Sequence, residues 1–124
     1  MGMMKIYFGH SKGFDYKKEL YEPIRESELN IRHEIIFPHE KSEMPTNSKE
    51  FLKTCDLMFA ELSYPATGLG IELGWADALG VSIVGIYKSG SHVSNSVKLL
   101  TKNFIEYSNS EDMVKKIERF INGL

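Results

Sequence analysis

A strand, a turn, a helix and a second strand follow one another in the middle of this chain, and that succession limits the folds open to it. Residues 57–61, LMFAE, read as a short buried strand, and residues 82–87, SIVGIY, as another whose near-continuous apolar character fits burial on both faces. Between them lie a turn carrying Pro65, Gly68 and Gly70 and a helical stretch that starts near Ile71 and ends before Gly80. Strands joined through helices run parallel with right-handed crossovers.

The flanking sequence extends this alternation. Residues 5–8 predict a first strand, followed by the loop Gly9, His10, Ser11, Lys12 and Gly13. Residues 14–29 carry Leu20, Ile24 and Leu29 at helical spacing and predict one amphipathic helix. Residues 34–37 predict a second strand stopped by Pro38, and residues 39–47 a polar loop containing Pro45. A short helix over 48–54 should turn Phe51 and Leu52 inward. Beyond residue 87 the pattern gives a loop over 88–92, a helix over 93–101, a strand over 104–107 and a helix over 110–122 capped by Ser110. The expected product is a three-layer α/β/α sandwich around a five-stranded parallel sheet of flavodoxin-like order 2-1-3-4-5. Such sheets bind ligands beyond the carboxyl ends of their strands. Tyr7, the 9–13 loop, Glu72 and the 88–96 region should therefore share one rim.

At 124 residues the chain has room for one domain. A net charge of −2 without a dense run of Lys or Arg gives a nucleic-acid surface little support. No apolar run reaches membrane-spanning length and the N-terminus lacks a signal-peptide core, so no membrane partner and a cytoplasmic location are expected. Cys55 reads as a small buried filler. His10, His33, His39 and His92 lack metal-ligand spacing, and neither a metal nor a cofactor is expected.

Glu72 is the residue on which chemistry can be built. A carboxylate in the first turn of a helix, beside the end of a strand, would be held ionised by the helix dipole and suit a nucleophile. An acidic residue there also serves plain helix capping. Gly68, Gly70 and Gly74 spell a dinucleotide-type glycine turn as well. That reading conflicts with its mid-chain position and with the negative charge that Glu72 would set against a pyrophosphate.

The run D-x-x-x-A-E-x-S-x-P-x-x-G-x-G-x-E-L-G-x-A from Asp56, together with KIYFGHS from Lys5, resembles the nucleoside 2-deoxyribosyltransferase superfamily, which includes deoxynucleoside 5′-monophosphate N-glycosidases. The likeness extends over residues 5–121. It implies that Glu72 attacks C1′ of the sugar to form a covalent glycosyl-enzyme, and that Tyr7 hydrogen-bonds the carboxylate and the sugar. It also implies that Gly9, His10 and Ser11 line the base and sugar pocket. Ser63, Pro65, Thr67, Gly68 and Gly70 fall in the substrate-binding turn. Ser94 and Asn95 match a segment that reaches a neighbouring subunit's site, which implies a homodimer or larger homo-oligomer.

Two positions depart from the pattern. Ser48 stands where an Asp usually assists the leaving base, and Ala66 replaces a serine that contacts a 5′-phosphate, with Thr67 the remaining hydroxyl. The expected activity is cleavage or transfer at the N-glycosidic bond of a small-molecule (deoxy)nucleoside or its 5′-monophosphate. The alternative is a nucleotide- or nucleoside-binding module of the same fold with little or no turnover.

Overall fold

The computed structural model describes residues 2–43 and 47–124; Met1 and residues 44–46 lie outside the described residues, and with them the part of the expected 39–47 loop that holds Pro45. Five parallel strands form one sheet in the order β2-β1-β3-β4-β5, where β1 is Lys5–Gly9, β2 Glu34–Ile36, β3 Leu57–Glu61, β4 Ser82–Lys88 and β5 Phe104–Tyr107. Successive side chains on a strand point to opposite faces, so each strand feeds two cores. Ile6, Phe8, Phe59, Val84 and Ile86 pack on one face against Leu20, Ile24, Met113, Ile117 and Ile121. Tyr7, Met58, Ala60 and Ile83 pack on the other against Leu52, Leu69, Leu73 and Ala76. The helices supplying those residues are α1 (Glu22–Arg25) with the π-helical turn Lys17–Tyr21 before it, α3 (Ser48–Leu52), α4 (Thr67–Ala78) and α5 (Ser110–Asn122), with α2 (Glu28–Arg32) leading into β2. The three-layer architecture and strand order match the expectation.

This order puts a switch point between β1 and β3. The chain leaves β1 toward β2 and then crosses back to pair β3 on β1's other side, with Gly9 opposite Ala60. Connections that part in opposite directions leave a crevice at the strands' carboxyl ends.

Several helices differ from their expected form. The single helix over 14–29 is broken into three pieces. Pro23 offers no N–H to the carbonyl of Glu19, four residues back, and the helix widens into its π turn just before it. The Ser110 hydroxyl donates to that Glu19 carbonyl at 2.7 Å. Asn109, rather than Ser110, caps α5 by accepting from the Asp112 N–H. Ser27 caps α2 through the Leu29 N–H and donates to the Ile24 carbonyl, which ends α1. Over 93–101 only a 3-10 turn forms, Val97–Leu99, its bonds closing from Val97 to Ser94 and from Lys98 to Asn95. Ser and Asn side chains compete with helical backbone bonds in such a stretch. Phe51 is half exposed, while Leu52 is buried as expected.

α4 departs most. It starts at Thr67, so Gly68 and Gly70 are helical and Glu72 lies in the second turn. Burial of Leu69, Leu73 and Ala76 offsets the helix-breaking cost of the glycines, about 1 kcal/mol each. Gly74 is helical as well and faces open space, where a Cβ would meet nothing within 4 Å. Gly80, at φ +75°, ends the helix in the left-handed conformation that glycine adopts without strain.

Gly85 in β4 tests the packing beneath the site. A Cβ at this position would sit 2.6 Å from Leu62 Cδ1 and 2.8 Å from Phe104 Cδ1. Gly85→Ala is therefore expected to destabilise the fold by about 1–3 kcal/mol in urea denaturation, since both neighbours must shift together.

Candidate active site

Three elements converge on one carboxylate oxygen. Tyr7 projects from β1 toward α4, and its hydroxyl donates to Glu72 Oε2 at 2.6 Å. Ser48, the first residue of α3, donates to the same oxygen. The two hydroxyl oxygens lie 3.0 Å apart. Each hydroxyl has one proton, and an ionised carboxylate can only accept, so both protons go to Oε2. Among the described residues no donor reaches Oε1.

Glu72 is not held at a helix end, so the helix dipole does not account for its charge. Burial raises its pKa, opposed by the hydrogen bonds from Ser48 and Tyr7 and by the nearby charge of His39. The same burial, with the Glu72 charge beside it, pushes the Tyr7 phenol far above its ordinary range. Tyr7 therefore stays protonated and remains a donor throughout the useful pH range.

Glu72 stands on the wall of a cavity of about 500 Å³ with His10, Ser11, Gly13, His39, Ser48 and Trp75 among its other lining residues. Gly9 lies beside the carboxylate, outside the cavity lining. A Cβ there would lie 2.6 Å from Met58 Cε and 3.1 Å from Glu72 Oε1, so any side chain would crowd the carboxylate. Ser11 lines the cavity while its Oγ accepts from the Gly13 N–H at 2.9 Å, which shapes the loop. Gly68 also lines this cavity.

The other expected site residues are spread more widely. Pro65, Gly70 and Ser94 line an adjoining cavity of about 280 Å³ that shares Ala66 and Leu69 with the first. Thr67 is exposed at the start of α4. Asn95 is exposed and accepts from Lys98 at 3.3 Å. The Ser63 hydroxyl donates to Glu61 Oε2 at 2.9 Å and accepts from the Lys88 N–H at 2.7 Å. Glu61 is only 1% exposed and also accepts from Tyr107, so these residues lock the ends of β3, β4 and β5 together. Among the described residues no group of three or more His, Cys, Asp and Glu side chains is close enough to hold a metal ion.

His10 is fully engaged. Its Nδ1 lies 2.7 Å from the Ser11 carbonyl, which can only accept, so Nδ1 carries the proton. Its Nε2 then accepts from the Tyr21 hydroxyl at 2.6 Å, and that hydroxyl in turn accepts from the His39 backbone N–H at 3.1 Å. Every member of this chain is satisfied with His10 neutral. Burial pushes the His10 pKa down to about 4.

His39 and Trp75 line the cavity and were not among the expected site residues. Both had a legible signal. His39 follows Pro38 at the carboxyl end of β2, on the same rim as the β1 loop, and Trp75 is three residues from Glu72 on one helical face.

A doubly wound α/β protein with a carboxylate-bearing cleft at its switch point is the class that this fold and site define. No protein-family model and no curated protein sequence matches the chain. Solved structures do. The CMP N-glycosidase BcmB of Clostridium botulinum superposes with a TM-score of 0.71 at 19% identity, covering 94% of this chain and 98% of that one. A conserved protein of Enterococcus faecalis V583 superposes with a TM-score of 0.70 at 22% identity, covering 96% and 99%. The likeness to both structures shows a shared three-layer α/β/α fold.

The depressed His10 value gives a stability prediction. A histidine neutral in the folded state stabilises it fully above the unfolded pKa, about 6.5, and that contribution is lost as pH falls toward about 4. His10 should account for about 3 kcal/mol of the acid-induced loss over that window. In urea titrations across pH 4–7, His10→Gln is expected to show a correspondingly shallower pH slope; equal slopes would contradict the burial argument.

Proposed function

We propose that the protein cleaves, or transfers at, the N-glycosidic bond of a (deoxy)nucleoside or its 5′-monophosphate, with Glu72 as nucleophile. The observation that carries this reading is the asymmetry of the Glu72 carboxylate. Oε2 is tied to two hydroxyls, while Oε1 lies beside Gly9 and accepts from no donor among the described residues, and the Glu72 side chain lines the cavity. A carboxylate held in this way presents one oxygen in a fixed direction, which favours a near-attack geometry. Oε1 forms a bond to C1′ as the C1′–N bond breaks, through an oxocarbenium-like transition state that the same negative charge stabilises. Water, or a second base, then displaces Glu72 from C1′. Two displacements at one carbon retain its configuration.

Tyr7 has a second role in this scheme. Its hydroxyl orients the carboxylate before attack and steadies it again when the ester is released. With Gly9 beside the carboxylate, His10 and Ser11 form the wall toward the base and sugar, and Gly68 leaves room beside them. Pro65, Thr67, Gly70 and Ser63 belong to the neighbouring turn. In this reading Ser94 and Asn95 serve the site of a second copy in a homodimer or larger assembly. The name of the Clostridium botulinum neighbour motivates including 5′-monophosphates among the substrates tested.

A binding module with little turnover is the second reading. It is favoured by one feature: among the described residues Glu72 is the single carboxylate lining the main cavity, and Ser48 spends its proton on it.

The two are separated by chromatographic assay of free base from a panel of deoxynucleosides and their monophosphates, with and without an acceptor base. Glu72→Ala is expected to lower base release at least about 10³-fold. Glu72→Gln is expected to be equally inactive while melting at or above the wild-type temperature, because it removes a charge that burial disfavours. Tight binding without base release by the wild type would establish the module instead.

A further inference from the structure

A departing nucleobase takes the electrons of the C1′–N bond with it and leaves far more readily if one of its ring nitrogens gains a proton. Glu72 cannot provide that proton while acting as nucleophile. The remaining ionisable side chains on the main cavity wall, among the described residues, are His10, Lys12 and His39. His10 has both ring nitrogens committed, to Ser11 and Tyr21. The Lys12 ammonium donates to the Glu43 carbonyl and lies 3.8 Å from its carboxylate.

His39 is different. Its Nδ1 is buried with no hydrogen-bond partner among the described residues. Buried ring nitrogens are normally paired, so this one calls for an explanation. The residue itself is well positioned. Its backbone N–H is bonded to the Tyr21 hydroxyl, and its ring sits 5.7 Å from that of His10 and 6.0 Å from that of Tyr16. Its position is therefore fixed while its Nδ1 is committed to no partner among the described residues, unlike the ring nitrogens of His10. The charge of His39 also reaches the Glu72 carboxyl.

We infer that His39 is the general acid and base of the site, protonating the leaving base and later deprotonating the attacking water. This assignment rests on the glycosidase reading. In the first step Glu72 Oε1 bonds to C1′, the C1′–N bond breaks, and an imidazolium N–H of His39 passes its proton to the base, which departs neutral. In the second step neutral His39 takes a proton from water as the oxygen bonds to C1′ and Glu72 leaves as a carboxylate. His39 ends protonated and the site is restored. The Asp expected at position 48 is then unnecessary, and Ser48 is free to hold Glu72.

The test compares two leaving groups in wild type and His39→Gln: a deoxynucleoside monophosphate that the wild type cleaves, and 4-nitrophenyl 2-deoxyriboside 5-phosphate, whose phenolate leaves without a proton. The variant should lose about 10²–10⁴-fold in kcat/KM on the nucleotide and less than about 5-fold on the aryl glycoside. Equal losses on both, or none on either, would overturn the assignment and leave the glycosidase reading standing. Should the wild type reject the aryl compound, the pH profile on the nucleotide decides. The wild-type fall in kcat/KM toward alkaline pH should vanish in His39→Gln, and its persistence would assign that fall to Lys12, Tyr16 or Tyr21 and overturn the role given to His39. Wild-type protein that releases base from no nucleotide and phenolate from no glycoside would sink the glycosidase reading, and His39 with it.

Discussion

Two hydroxyl groups sharing one carboxylate oxygen hold this site together. Tyr7 comes from the first strand, Ser48 from the short helix before the third strand, and Glu72 from the helix after it. Those elements meet only because the chain crosses back at the switch point to pair β3 on β1. The hydrogen bonds also oppose the desolvation that raises the Glu72 pKa. A charge buried without such partners would neutralise itself and lose its nucleophilic character. Topology, packing and reactivity are linked here through a single atom.

Around that atom the protein separates fixed protons from movable ones. Tyr7 cannot ionise, because burial and the adjacent carboxylate both oppose it. His10 is neutral, locked between a carbonyl and the Tyr21 hydroxyl. Glu61, equally buried on β3, accepts from the Ser63 N–H, the Ser63 hydroxyl and Tyr107, and these bonds confine it to joining strand ends. Glu61 and Glu72 are both carboxylates at the same end of the sheet. What distinguishes them is that one Glu72 oxygen accepts from no donor among the described residues and that Glu72 lines a cavity.

The sheet was legible because strand signals are local: short apolar runs bounded by glycine and proline, alternating with helical spacing. The pairing of Tyr7 with Glu72 was legible through the resemblance that the KIYFGHS and ELG motifs carry. The helices were less so, for reasons that are tertiary. Gly68 and Gly70 read as a turn, yet burial of Leu69 and Leu73 draws them into α4 and moves Glu72 from the first turn to the second. Pro23 widens one helix, and Ser110 from the far end of the chain occupies the carbonyl it frees. No local pattern carries that pairing. His39 was legible in principle, since the expected strand order sets β2 beside β1 and so puts the residue after Pro38 on the rim of the site.

The most direct measurement of the Glu72 claim is trapping its covalent intermediate. A nucleotide substrate carrying fluorine at C2′ slows both displacements by destabilising the oxocarbenium-like transition state, so the ester should accumulate. Acid quenching, digestion and mass spectrometry are predicted to find the fluorosugar on the peptide containing Glu72, with release of one equivalent of base. Base release with no adduct, or with the adduct on another residue, would contradict the role given to Glu72.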